Sequence, residues 1–305
     1  MHLVVNKIKS ESKVNRNLLI TVLLNIFISI AELIGGILSN SLALISDAIH
    51  NFSDGLAIAI TYASQKISNK QSNQSNTFGY KRIQILSALF NAVTLIAICI
   101  FLLFEAYQRF LNPEPVQSVP MFIVASIGLI ANIIGVFLLK DFSSGNLNIK
   151  AAYLHLIGDS LSSVAVITGG LLIYFFDIQW IDPLITVLIS LYIIKETYHI
   201  LAETYYILMQ ASPKSIDINL ISEEIKLIPG VKNIHHIHVW SLTDQMIHFE
   251  GHIELSEDMR ISESQDIYCK VKEILIHNHG IQHITLQAEF NFCQEKHLVS
   301  PTHLC

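Results

Sequence analysis

Charge is what this sequence has least of: only 14% of its residues are Asp, Glu, Lys or Arg, against about 25% in ordinary soluble domains. With 51% hydrophobic residues and a mean hydropathy of +0.48, that shortage argues for a chain that runs largely through lipid. Cysteine is sparse as well. Cys99, Cys269, Cys293 and Cys305 are scattered without a C-x-x-C pair, which argues against a disulfide scaffold or a zinc ribbon and for reduced thiols. No small-residue cleavage site follows the basic start with Lys7, Lys9, Lys13 and Arg16, so no removable signal peptide is expected. No basic patch or aromatic-basic alternation stands out in the soluble portion after Pro213, and the net charge of the chain is −6. Nucleic acid is therefore not an expected partner.

What is there is a series of long apolar stretches through residues 18–208 that stops near Ser212-Pro213. Taking about 20 apolar residues per span, the pattern predicts membrane helices near 18–38, 42–65, 83–107, 120–139, 151–175 and 183–207. The last is interrupted by Lys195, Glu196 and His199, so its apolar core ends near Ile194 and the rest reads as an amphipathic extension. The expected organisation is an N-terminal arm (1–17), a six-helix transmembrane domain (18–210), a small α+β domain (211–292) and a tail (293–305).

Lysine and arginine fix the orientation. Besides the four in the arm, Lys66, Lys70, Lys81 and Arg82 fall in the second loop and Lys140 and Lys150 in the fourth, whereas the other side has only Arg109. Excess Lys and Arg marks the cytoplasmic side. Both termini are thus expected in the cytoplasm, with a bacterial-type inner membrane the simplest host for a compact chain with short loops.

Inside two of these spans the chemistry concentrates. The second holds His50 and Asp54, the fifth His155 and Asp159, and in both the spacing i, i+4 puts the side chains on one helix face, about 6 Å apart along the axis. Two imidazoles and two carboxylates from facing helices make a tetrahedral set suited to zinc or cobalt, where magnesium or calcium would take oxygen throughout. A single His-Asp pair is as readily an internal hydrogen bond joining helices. Two pairs at the same spacing point to function, because ionisable groups in mid-membrane cost several kcal/mol unless paired or hydrated. Asp47 has no counterpart in the fifth span and is read as a packing or supporting group. Asn25, Glu32, Asn91, Glu105 and Asn132 are read as packing or interface groups, and Gly35-Gly36 and Gly169-Gly170 as points of close helix approach.

The C-terminal part reads as helix 217–228, a Pro229-Gly230 turn, strands 234–242 and 246–255, helix 262–278 and strand 284–292. That order, αββαβ, fits a ferredoxin-like sandwich. His236 and His238 share a face of the first strand by its two-residue period, and with His252 and Glu289 they are expected to form a second zinc site. His235, His248 and His283 are less favoured alternatives, and solvated strand histidines without metal are the plainer reading. Cys293, His297, His303 and Cys305 offer soft ligands in a tail whose polarity and terminal position favour disorder.

These motifs resemble the cation diffusion facilitator family, in particular its zinc-transporting branch. The likeness rests on Ser41-Leu-Ala-Leu-Ile-Ser-Asp-Ala-Ile-His-Asn-Phe-Ser-Asp54, Phe78-Gly-Tyr-Lys-Arg-Ile-Gln-Ile-Leu86, Ala151-Ala-Tyr-Leu-His-Leu-Ile-Gly-Asp159 and Trp180-Ile-Asp-Pro183, in that order along nearly the whole chain. The resemblance implies a transport site at His50, Asp54, His155 and Asp159 with zinc as preferred cargo. It also implies a homodimer, exchange of metal for protons, and a cytoplasmic metal-binding domain that helps hold the protomers together. Gln84 stands where the family often has glutamate, and the loop at 141–149 lacks the histidines common there. The function expected is efflux of zinc, or a neighbouring divalent cation, by alternating access. Its rivals are a membrane metal sensor that moves no ions and an intramembrane metallohydrolase, the latter disfavoured because no H-E-x-x-H helix is present. No enzymatic activity is expected.

Overall fold

The computed structural model describes residues 2–140, 147–292 and 297–299. Its first part is a set of long helices: α1 (His2–Ser39), α2 (Leu42–Ser68), α3 (Ile83–Leu111), α4 (Ser118–Lys140), α5 (Leu147–Phe176) and α6 (Ile181–Leu208). Each expected span lies inside one of them. The largest difference is at α1, whose helix runs back through the expected arm to His2.

By length and apolarity α3, α4, residues Tyr153–Phe176 of α5, and α6 suffice to cross a membrane, and α1 has a shorter apolar stretch, Leu23–Ser39. α2 is set apart by the Asp47, His50 and Asp54 along its middle. Large apolar side chains such as Phe101, Phe137, Leu161 and Phe175 are 62–69% exposed on the outside of this helical unit, an arrangement that water penalises and lipid does not.

Turns between the helices are fixed by polar groups that the sequence motifs supply. α1 ends at Asn40, whose φ of 54° lies in the left-handed region that Asn tolerates better than most residues. Arg109 locks that turn, donating from Nη1 to Asn40 O at 2.6 Å and from Nη2 to Asn40 Oδ1 at 2.8 Å. Asp182, at the start of α6, accepts from Ser41 Oγ and from the amides of Leu42 at 2.8 Å and Ala43 at 3.3 Å. It thus serves the otherwise orphaned N–H groups of α2. Gly36 lets Ile45 of α2 approach the α1 backbone, and Gly170 lets α5 lie against the backbone of Ser118 and Phe122 in α4. Both agree with the expected close packing.

The second part is α7 (Ile218–Lys226), β1 (Val231–Thr243), β2 (Met246–Leu255), α8 (Ile261–His277) and β3 (His283–Glu289), the expected αββαβ order. Asp217 caps α7 by accepting from the amides of Asn219 and Leu220. The sheet order is β1-β2-β3, with β1 antiparallel and β3 parallel to β2, so α8 is the crossover that a parallel neighbour requires. Ile221, Ile225, Val271 and Leu275 of the two helices and Ile234, Phe249 and Ile253 of the sheet form one apolar core.

By contacts the chain divides into 1–63 with 87–201, and 64–86 with 202–305. The connection between α2 and α3 therefore groups with the C-terminal part rather than with the helices. Within that second unit Gln84 donates to Gln65 Oε1 and Ser68 Oγ, both at 2.6 Å, and the Phe78 ring stands edge-on to His248 at 5.3 Å.

Candidate metal sites

α2 and α5 bring the two His-Asp pairs of the membrane helices to one place. His155 Nε2 lies 3.0 Å from Asp54 Oδ2 and 3.5 Å from Asp159 Oδ2. His50 lies 3.7 Å from Asp54 through Nδ1 and 3.8 Å from Asp159 through Nε2. The two imidazoles are 5.8 Å apart, edge to face. Each histidine therefore approaches the carboxylate of its own helix and that of the other, which is the arrangement two i, i+4 pairs make when their helix faces meet. Donor atoms of His50, His155 and Asp159 fall within 4.8 Å of one another, and Asp54 adjoins the group through His155.

Burial and hydrogen bonding also fit a cation. Asp159 is 2% exposed, and its Oδ2, like His50 Nδ1, has no hydrogen-bond partner among the described residues. A buried polar atom left so costs about 1–3 kcal/mol, which a bound metal offsets. Asp47 does not join the four. Its carboxylate accepts from Ser162 and Ser163 of α5, so it ties α2 to α5 and holds the two ligand-bearing faces together.

His50, Asp54 and His155 line a cavity of about 530 Å³ that also meets Tyr192, Glu196 and His199 of α6. Sequence reasoning took Glu196 and His199 as the polar end of a span. Their spacing of three residues on one face was the signal that they line a shared path.

The C-terminal unit gathers a second cluster. His252 Nδ1 is 2.6 Å and His235 Nε2 3.2 Å from the Glu289 carboxylate, with all three residues at most 9% exposed and their donor atoms within 4.8 Å of one another. The strand register explains it: His235 of β1 faces His252 of β2, and Glu289 of β3 faces Glu254 of β2, two residues beyond Gln287, the β3 partner of His252.

Of the four residues expected here, His252 and Glu289 meet, and His235 joins them from the same strand as the favoured pair. His236 stacks on His252 with ring centroids 4.6 Å apart. His238, its ring 4.9 Å from that of His236, lines with His236, Trp240 and Glu250 a hollow of about 330 Å³. The reason is a register shift between His235 and His238, where His236 takes a φ of 51°. A bulge of this kind breaks the two-residue alternation and turns His235 inward.

His248 and His283 form a different pair, cross-strand neighbours on β2 and β3 with ring centroids 4.5 Å apart. Desolvation, with His283 and Arg82 nearby, pushes the pKa of His248 below its usual value. In the tail, the carbonyls of His297 and Leu298 accept from the amides of His236 and Ile237. Cys293, His303 and Cys305 lie outside the described residues.

Comparison with known proteins agrees with this architecture at both ends. The model of the cation efflux transmembrane domain matches residues 18–209, and that of the cation efflux protein cytoplasmic domain matches residues 213–290. The cadmium, cobalt and zinc/H(+)-K(+) antiporter of Bacillus subtilis is 37% identical, over 85% of this chain and 84% of that protein. The metal cation efflux system protein CzcD of Cupriavidus metallidurans is 36% identical, over 87% and 84%. The zinc transporter ZitB of Pectobacterium atrosepticum is 34% identical, over 96% and 91%. The chain is an integral membrane protein of the cation efflux family, the cation diffusion facilitators, and belongs to their zinc-transporting branch.

Proposed function

We propose that the chain exports zinc from the cytosol in exchange for protons, with His50, Asp54, His155 and Asp159 as the ligands of the transported ion. The observation that carries this reading is the meeting of two imidazoles and two carboxylates from α2 and α5, with His155 Nε2 within 3.5 Å of both acids. Two nitrogens and two oxygens in a tetrahedral set suit zinc, and cobalt or cadmium after it.

Exchange follows from the ligands. Metal binds imidazole and carboxylate only in their deprotonated forms, so loading expels protons and reprotonation on the far side drives release. Glu196 and His199, on the wall of the same cavity, give an arriving cation a first stop before the four ligands. Alternating access then requires the helices to rock so that the cavity closes on one side and opens on the other.

The C-terminal unit is read as cytoplasmic and as the part through which two copies associate, which the match to the cytoplasmic domain of cation efflux proteins supports. His235, His252 and Glu289 are its metal ligands in this reading. The host is a bacterial-type inner membrane, with both termini inside. Names of the relatives, a zinc transporter and an antiporter of cadmium, cobalt and zinc, support the cargo.

Reconstituted vesicles test the proposal. Alanine at His50, Asp54, His155 or Asp159 is expected to abolish zinc flux while the protein still inserts and remains monodisperse. Normal flux in any two of these variants overturns the ligand assignment. Zinc binding without flux across a sealed bilayer in the unaltered protein would instead favour the metal sensor.

A further inference from the structure

Three fully or almost fully buried polar side chains outside the metal position lie along the seam of α1 with α2 and α4. Glu32 on α1 and Asn51 on α2 are 0% exposed, and Asn132 on α4 is 1% exposed. One Glu32 oxygen, Oε2, accepts from Asn51 Nδ2 at 3.0 Å. The other, Oε1, has no donor, and neither Asn51 Oδ1, Asn25 Oδ1 nor either polar atom of Asn132 has a hydrogen-bond partner among the described residues. Each such atom costs about 1–3 kcal/mol if nothing binds it, and the oxygens among them are acceptors that a cation or water would satisfy.

The helices make room for these groups. A Cβ on Gly128 would lie 2.2 Å from Glu32 Oε1, so the carboxyl sits where only glycine leaves space on α4. Asn132 is four residues beyond Gly128 and hence on the same face, one turn on. Gly35 meets Val124, Gly128 meets Glu32 and Gly135 meets Thr21. That antiparallel register puts Asn25 level with Asn132. Ser29, 1% exposed, lies between Asn25 and Glu32 on α1, its hydroxyl on the Asn25 carbonyl at 2.6 Å.

Among the described residues no lysine or arginine of α1, α2 or α4 faces Glu32. α4 has no charged residue before its terminal Lys140, and α1 from residue 20 onward and α2 before Lys66 contain no Lys or Arg. The charged groups that face Glu32 are Asp47 on α2 and Asp159 on α5. One carboxyl and neutral amide oxygens form an all-oxygen set with at most a single negative charge. Zinc prefers nitrogen, and hard divalent ions gather more carboxylates. A monovalent cation fits this set.

We propose that Glu32, Asn51 and Asn132 form a further cation site, which takes one monovalent ion, a proton or an alkali ion, exchanged for metal in addition to the protons that the four ligands give up. The proposal rests on the exchange reading above and adds to it a place for this additional counter-ion. Coupling is direct, because Asn51 follows His50 in α2. When Glu32 loses or gains its cation, the bond to Asn51 changes in the same helical turn that holds a metal ligand.

Zinc movement in proteoliposomes tests it, measured for the unaltered protein, Glu32→Gln and Asn132→Leu in three ways: zinc–zinc exchange without gradients, uptake driven by a pH gradient without potassium, and uptake driven by a potassium gradient at clamped pH. Glu32→Gln is expected to keep zinc–zinc exchange within about threefold and to lose gradient-driven accumulation by about tenfold or more. Asn132→Leu is expected to show the same separation. The gradient to which the unaltered protein responds identifies the ion. An undiminished gradient response in Glu32→Gln overturns the proposal and leaves the exchange reading intact. Absence of any gradient response in the unaltered protein overturns both. Where Glu32→Gln loses zinc–zinc exchange too, an undiminished gradient response in Asn132→Leu overturns the proposal.

Discussion

Asp159→Asn removes one negative ligand and almost nothing else. The residue is 2% exposed, with its carboxylate 3.5 Å from His155 and 3.8 Å from His50, and asparagine has the same shape. A closed zinc site of four ligands is worth about 10–16 kcal/mol, or about 2.5–4 kcal/mol for each ligand. At about 1.4 kcal/mol per decade, the half-saturating zinc concentration is expected to rise about 10²- to 10³-fold. Initial rates of zinc uptake into proteoliposomes across a range of zinc concentrations measure this. A monodisperse variant with a half-saturating concentration within about threefold of the unaltered protein refutes Asp159 as a ligand.

Other predictions bear on the cytoplasmic cluster and on the fold. His252→Ala should lower zinc stoichiometry by about one ion per chain in equilibrium dialysis while half-saturation of flux stays put; an unchanged stoichiometry contradicts the second site. Asp182→Ala leaves the amides of Leu42 and Ala43 without their acceptor and should cost about 1–3 kcal/mol in denaturation in detergent, with little effect on zinc affinity. Burial, with His283 and Arg82 beside it, lowers the folded pKa of His248 below its unfolded value of about 6.5. Its contribution to stability is therefore complete above that pH and is lost as pH falls below it. Amide protection factors in β2 and β3, corrected for the intrinsic exchange rate, should fall as pH drops below about 6.5, and less so in His248→Gln; an equal fall in both contradicts this.

The meeting of the four proposed transport ligands was legible because a helix is regular. His50 with Asp54 and His155 with Asp159 needed only the period of 3.6 to share a face, and lipid made four ionisable groups conspicuous. The hairpin histidines were less so, since a bulge at His236 has no signature in a run of alternating residues, and it is the bulge that brings His235 rather than His236 to Glu289. Glu32 and Asn132 read as isolated polar residues. The helices that carry them are far apart in sequence, and only the antiparallel register of α1 with α4 places them along one seam. Arg109, taken as an orientation marker, proved also to lock the turn at Asn40.

The central claim is that one zinc ion is held by two imidazoles and two carboxylates from α2 and α5. Zinc K-edge absorption of the zinc-loaded protein, carrying His235→Ala and His252→Ala to remove the cytoplasmic cluster, tests it most directly. The account predicts four nitrogen or oxygen neighbours at about 2.0–2.2 Å, with scattering from two imidazole rings that drops to one in the further variant His155→Ala. Sulfur near about 2.3 Å, or imidazole scattering unchanged by His155→Ala, would contradict it.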